Sequence, residues 1–268
     1  MDKILITGAA GRVGTAVRPF LRERFALRNF DLRPVTDGGP GEEVVVGDLN
    51  SARDLAAALE GVDAVLHLAC AIGLELSFEE SLDASYRATI ALLEATRRAG
   101  VRRFVYASTH HVFGAHRRDG FDPHALPLAP DAYYGLGKAF GELACSLYAH
   151  RFSLQTLVVR IGNADPTVSD DRVLRLWVSA RDLAQLFAIG LSHPGIAFEV
   201  VYGVSICPSP LFPDPVAERL GYQPLDRAED HLDPAFLPYD DMPARLGRDY
   251  VGGAYATVEL PRHLEEDA

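Results

Sequence analysis

The chain has 268 residues, 48% of them apolar, enough for one large α/β domain with a buried core and too few for a second full domain. Its formal net charge of −11, with no long run of Lys or Arg, argues against nucleic acid or an anionic membrane as a partner. Three cysteines, Cys70, Cys145 and Cys207, lie far apart without CxxC or Cys/His spacing, so neither a disulfide framework nor a zinc site is expected and a reducing cytoplasm fits.

From Met1-Asp2-Lys3 the chain passes at once into a predicted strand, residues 3–7, leaving no room for a basic segment and signal-peptide core. No later apolar run reaches membrane-spanning length. The strand leads into Thr7-Gly8-Ala9-Ala10-Gly11-Arg12-Val13-Gly14, and Arg12 to Arg24 reads as a helix. Strand, glycine turn and helix in that order form the setting in which backbone amides approach a pyrophosphate. Gly8 permits the tight turn, Gly11 the approach of the phosphate, and Gly14 the close packing of helix on strand. A second strand, about 27–31, ends at Asp31, 23 residues after Gly8, the distance at which an acidic side chain meets the adenosine ribose. A carboxylate there accepts from both ribose hydroxyls and repels a 2′-phosphate, which favours NAD over NADP. Arg12 and Arg33, close by, argue the other way.

Past the turn at Gly38-Gly39-Pro40-Gly41, strands are predicted at 43–47 and 63–68 and helices at 51–60 and 79–99, with Asn50-Ser51 and Ser77 as caps. A strand at 102–107 delivers Ser108-Thr109 to the carboxyl edge of the sheet, where open α/β folds bind ligands. His110 and His111 follow. In an extended backbone they would alternate faces, so one of them would face the pocket, and no carboxylate or Cys completes a metal set around them. A polar loop from Arg117 to Pro130 precedes a helix at 131–151 that carries Tyr134-Gly-Leu-Gly-Lys138. Residues four apart share a helix face, so this Tyr and Lys can enter one cleft, where the ammonium would lower the phenol's pKa and tune it as an acid/base. Strands at about 154–160 and 197–203 flank a helix at 179–192; beyond residue 205 come Cys207-Pro208-Ser209-Pro210-Leu211-Phe212-Pro213, a short helix from Pro215 to Gly221 and an acidic tail. Alternating strands and helices predict a Rossmann-type doubly wound parallel sheet over 1–204. Residues 205–268 are expected to form a small, mostly irregular substrate-binding portion, not an independent domain.

The sequence order of strand, GxxGxxG, helix, Ser/Thr and YxxxK resembles the extended short-chain dehydrogenase/reductase (NAD-dependent epimerase/dehydratase) family over nearly the whole chain. Within it the chain is similar to uronate dehydrogenases through Tyr134-Gly-x-x-Lys138, Leu157-Val158-Val159-Arg160-Ile161-Gly162, Arg172-Val173-Leu174-Arg175-Leu176-Trp177-Val178-Ser179, and Gly252-Gly253 before an aromatic-containing tail. The resemblance implies NAD as cofactor, held by Gly8, Gly11, Arg12, Val13, Gly14 and Asp31. It also implies an adenine-contacting pair at Asp48-Leu49 and a wall beside the nicotinamide at Leu68-Ala69. Its catalytic hydroxyl lies four residues before the aromatic of an aromatic-Gly pair, here Phe113-Gly114, which selects Thr109 over Ser108. His111 matches a substrate-contacting histidine, and His110 stands where the relatives carry Asn.

Arg172 matches the arginine that holds the sugar carboxylate, a task suited to a planar guanidinium that binds bidentately. The alternative is a surface ion pair with Asp170 or Asp171, and Arg175 is a weaker candidate for the same role. The implied reaction is oxidation of the anomeric C1 hydroxyl of a hexuronic acid to an aldarolactone. Tyr134 would remove the proton, Thr109 orient the hydroxyl, and Lys138 bind the nicotinamide ribose. Two departures stand out: Ala69-Cys70-Ala71-Ile72-Gly73 replaces a Gly-Gly-Ile-Ser-like segment and is one residue longer, and the family's helix Asn is matched by Ser85. Three other readings stay open: a neutral aldose 1-dehydrogenase, a nucleotide-sugar epimerase or dehydratase, and a nucleotide-binding regulator without chemistry. By analogy the helices at 79–99 and 131–151 make a four-helix interface, which implies a homo-oligomer.

Overall fold

The computed structural model describes residues 2–261; Met1 and the acidic end of the tail lie outside the described residues. The strands are β1 (Lys3–Thr7), β2 (Ala26–Asp31), β3 (Glu43–Val46), β4 (Ala64–His67), β5 (Arg103–Thr109), β6 (Gln155–Ile161), β7 (Val168–Asp170), β8 (Phe198–Gly203) and β9 (Leu232–Leu237). Seven of them form one parallel sheet in the order β3-β2-β1-β4-β5-β6-β8, while β7 and β9 pair separately, also in parallel. The helices are α1 (Arg12–Leu21), α2 (Ala52–Leu59), α3 (Phe78–Ser81), α4 (Ala88–Arg98), α5 (Tyr133–Phe152), α6 (Asp171–Leu174), α7 (Ala180–Ser192) and α8 (Pro215–Arg219).

Successive strand residues point to opposite faces, so a strand buried on both sides is apolar at every position. Ile4, Ile6, Val105, Leu157 and Val159 face α1 and α7, meeting Val17, Leu21, Leu186 and Phe187. Leu5, Phe104, Tyr106 and Val158 face the other way, onto Leu55, Leu59, Leu92, Leu93 and Tyr148. The result is the doubly wound three-layer arrangement expected from the alternation. Its topology reverses between β1 and β4, the place where a crevice opens at the carboxyl ends of the strands.

The predicted helix at 79–99 forms as one unbroken helical stretch of mixed type. Ser77 starts α3 with a capping box to Glu80, a π-helical turn follows at Leu82–Arg87, and α4 resumes at Ala88. Hydrophobic periodicity does not register one extra residue wound into a turn. The β7–β9 pair was likewise missed, because three- and six-residue strands with exposed positions carry no alternation strong enough to read. It stitches the segment beyond residue 205 onto the sheet region. Leu211, Phe212 and Val251 reinforce this, packing on Val112 and Phe113. Among the described residues no helix is long and apolar enough to cross a membrane.

Candidate active site

One cavity of about 1070 Å³ runs across the carboxyl edge of the sheet from Asp31 to Arg172. At one end the glycine loop turns under it. Gly8 has φ +72°, and a Cβ there would lie 2.6 Å from the Ala69 amide nitrogen, so only glycine lets β1 and β4 approach so closely. A Cβ on Gly14 would meet the carbonyl oxygens of Gly8 and Ala9 at 2.7 Å, which is the close helix-to-strand contact the spacing predicts. Gly11, Arg12 and Val13 line the same wall. Asp31 Oδ2 accepts from Ala10 N at 3.0 Å and Oδ1 from Arg33 N at 3.1 Å, so the carboxylate is held at the cavity rim with acceptor capacity to spare. Arg12 is turned away from Asp31 and pairs with Asp165 after β6. Arg33 is largely exposed, its Nε 3.9 Å from Asp31. Asp48 and Leu49 close this end, Asp48 accepting from Asn50 N at 2.8 Å, and Leu68 and Ala69 form the middle wall.

At the other end β5 and α5 bring the reactive groups together. Thr109, His110, His111, Tyr134 and Lys138 all line the cavity. Ser108 donates to Glu142 Oε1 at 2.5 Å, and Glu142 in turn is gripped by Arg160, so the Ser108 hydroxyl is committed elsewhere. Thr109 is free of that network: its Oγ1 accepts from His111 N at 3.3 Å and lines the cavity together with Tyr134. Lys138 Nζ donates to Ala107 O at 2.6 Å and sits 5.1 Å over the Tyr106 ring. Burial pushes the Tyr134 phenol's pKa well above the ordinary value, and the neighbouring Thr109 hydroxyl and the Arg12 charge pull it part of the way down.

The two histidines also differ from expectation. Their backbone is a turn of 3-10 helix at His110–Phe113, not extended, so both rings reach the cavity, tilted against each other with centroids 4.1 Å apart. His110 Nδ1 lies 3.2 Å from Ile161 O, and Arg172 Nη1 is 3.4 Å from its Nε2. His111 Nδ1 is 2.6 Å from Asp131 Oδ2. Desolvation lowers both histidine pKa values, that of His111 to about 3, and raises that of Asp131 to about 7.

Arg172 projects from α6, recessed from bulk solvent but open to the cavity. It donates to Val251 O at 3.2 Å and makes no ion pair with Asp170 or Asp171. Asp170 caps α6 by accepting from Val173 N, and Asp171 is taken by Arg118 at 2.5 Å. Arg175 faces a different cavity with Arg117 and Arg118. Ser85 lies in the π-helical turn, where its Oγ accepts from Ala71 N at 3.4 Å.

Three contributors to the site escaped the sequence. The Tyr255 ring packs tilted against His111, centroids 4.3 Å apart, and lies 6.1 Å from Tyr134; the aromatic tail after Gly252-Gly253 was the available signal. Asp165 was not singled out, and neither was Asp131, three residues before Tyr134, whose partner is 20 residues away.

The sequence model of the NAD dependent epimerase/dehydratase family matches residues 4–165. The uronate dehydrogenase of Pseudomonas putida is 37% identical over 265 residues, which cover 96% of this chain and 96% of that protein. A crystal structure of a uronate dehydrogenase mutant from Agrobacterium tumefaciens complexed with NAD superposes with a TM-score of 0.87 at 30% identity, covering 98% of this chain and 100% of that one. The glucuronic acid dehydrogenase of Chromohalobacter salexigens superposes with a TM-score of 0.86 at 31% identity, covering 100% and 99%.

Proposed function

The chain belongs to the NAD dependent epimerase/dehydratase family, and from that premise we propose that it oxidises the anomeric C1 hydroxyl of a hexuronic acid, glucuronate or galacturonate, to an aldarolactone with NAD. Arg172 carries the reading. A recessed guanidinium without a carboxylate partner among the described residues is costly to leave uncompensated, and a substrate carboxylate compensates it bidentately.

The dinucleotide fits the residues present. The glycine loop turns tightly under the cavity, with Gly8 and Gly14 seated against backbone that a Cβ would strike and Gly11 on the cavity wall, and Asp31 offers free acceptor positions at the β2 end with Arg12 paired to Asp165. When bound, NAD supplies the two-electron acceptor for the hydrogen leaving C1. In this reading Tyr134 takes the hydroxyl proton of the substrate, and Thr109, on the same cavity wall, orients that hydroxyl. Lys138 binds the nicotinamide ribose, Asp48 and Leu49 the adenine side, and Leu68 and Ala69 back the nicotinamide. Arg172 holds the far carboxylate, so the sugar is fixed at two points and C1 is presented in one orientation. The segment beyond residue 205 serves as the substrate-side wall, a role supported by Val251 and Tyr255 at the site. Exposed Leu136, Leu143 and Leu147 along α5, with Ile90 on α4, support a homo-oligomer built on these helices.

The test is absorbance of reduced cofactor with glucuronate, galacturonate, glucose and arabinose, for the wild type and Arg172→Ala. The variant is expected to lose about 30-fold to several hundred-fold in kcat/KM on uronates, as for a charge-assisted contact of about 2 to 4 kcal/mol. Slow turnover of a neutral aldose should be unchanged. Equal losses on both would assign Arg172 a structural role and the chain to neutral-sugar oxidation.

A further inference from the structure

His111 has one ring nitrogen occupied and one free. Nδ1 is 2.6 Å from Asp131 Oδ2, whereas Nε2 has no hydrogen-bond partner among the described residues, although the ring lines the cavity beside Tyr134 and Tyr255. The Asp131 side chain is fully buried. Its carboxyl is walled by backbone from three separate segments: a Cβ on Gly114 or Gly252 would lie 1.8 Å from Oδ2, and one on Gly135 3.1 Å from Oδ1. A carboxyl enclosed this tightly and bonded to a cavity-lining ring has no role in the reaction as described so far.

We propose that Asp131 is a positioning residue for the reaction: through Nδ1 it fixes the tautomer of His111, so that Nε2 faces the cavity as an acceptor for a sugar hydroxyl. The inference rests on the sugar-oxidising reading above. An ionised Asp131 can only accept, which places the ring proton on Nδ1 and leaves the Nε2 lone pair free. A protonated Asp131 donates to Nδ1 instead, and the ring proton moves to Nε2, turning an acceptor into a donor. The pair thus exchanges one proton with solvent while the polarity of the atom facing the substrate inverts. The groups facing it are His110 from the same 3-10 turn, Arg172 from α6, Tyr134 from α5 and Tyr255 from the C-terminal segment. Burial opposes the ionised carboxylate and the Arg172 charge favours it, leaving the balance near neutrality, where a pH change of one unit shifts it.

The expected behaviour is a wild-type kcat/KM for glucuronate that rises through an inflection near pH 7. In Asp131→Asn that inflection should vanish and kcat/KM at pH 8 fall by about 10- to 100-fold, as for loss of a hydrogen bond to a charged group. Its NAD dissociation constant and Tm should stay near wild type. An inflection that survives in the variant, or turnover within about threefold of wild type at pH 8, overturns the proposal. Should the variant not fold, 15N chemical shifts of His111 in the wild-type protein decide the matter: protonated Nδ1 and bare Nε2 at pH 8 support the proposal, and protonated Nε2 at that pH overturns it. That measurement needs no substrate, so an absence of uronate turnover would count against the functional reading alone.

Discussion

At the scale of one side chain, Asp31 is the residue proposed to set the dinucleotide choice. Its oxygens each accept one backbone amide and keep a lone pair for a ribose hydroxyl, while the nearest cation, Arg33, points largely into solvent. Asp31→Ala should therefore cut kcat/KM for NAD by about 10-fold or more and leave that for NADP level or improved, measured with each cofactor at saturating sugar acid. A wild-type preference for NADP would mean that Arg33 outweighs the carboxylate. Asp31, Gly8, Tyr134 and Lys138 were legible because their geometry is local: a fixed count along a strand, a turn or a helix brings them to one edge. Asp131 and Tyr255 were not. Each meets His111 only after distant segments have docked, and no spacing along the chain encodes such a meeting.

Elements decide which way those residues face. Ser85 meets Ala71 only because the helix between α3 and α4 takes a π turn, and both histidines share the cavity only because β5 runs into a 3-10 turn. Neither deviation leaves a mark in hydrophobic periodicity. The Gly252-Gly253 pair is the most direct case of backbone controlling a functional side chain. Gly253 has φ +63°, and a Cβ there would lie 2.6 Å from Arg172 Nε and 2.9 Å from its Cζ. Gly253→Ala should cost about 1 kcal/mol in stability from the left-handed backbone and, more diagnostically, push the guanidinium off its seat. KM for glucuronate should rise about 10-fold with NAD affinity unchanged. A variant with wild-type KM would show that Arg172 tolerates the displacement.

The whole molecule answers to pH through its buried histidines. His67 is sealed between Thr7, at 2.7 Å, and Thr89, at 3.3 Å, and burial holds its pKa at about 3; His111 is held at about 3 as well. In the unfolded chain both titrate near ~6.5, so their contribution is fully present above that pH and is lost as pH falls from about 6.5 toward 3. Asp131 works in the opposite sense. Its folded pKa of about 7 exceeds the unfolded value of ~3.9, so its contribution is lost as pH rises through 7. Two histidines outweigh one carboxyl between pH 5 and 6, and unfolding free energy from urea titrations should climb across that interval. His67→Gln should reduce the slope by about 1.4 kcal/mol per pH unit, one proton's worth; an unchanged slope would mean that His67 is already charged in the fold. At this scale the doubly wound sheet was legible, since central strands apolar on both sides, such as β1, β4 and β5, alternate with helices and leave few other ways to be covered, whereas the β7–β9 pair was not. That pair orders events during synthesis. The glycine loop and the Tyr134 helix have left the ribosome long before β9 can join β7, or Gly252, Gly253 and Val251 can close on Asp131 and Arg172. On the reading proposed above, a nascent chain exposed only as far as about residue 230 would carry the glycine loop and Tyr134 without the wall that Gly252 and Gly253 complete around Arg172, so sugar selection would come after the dinucleotide cradle.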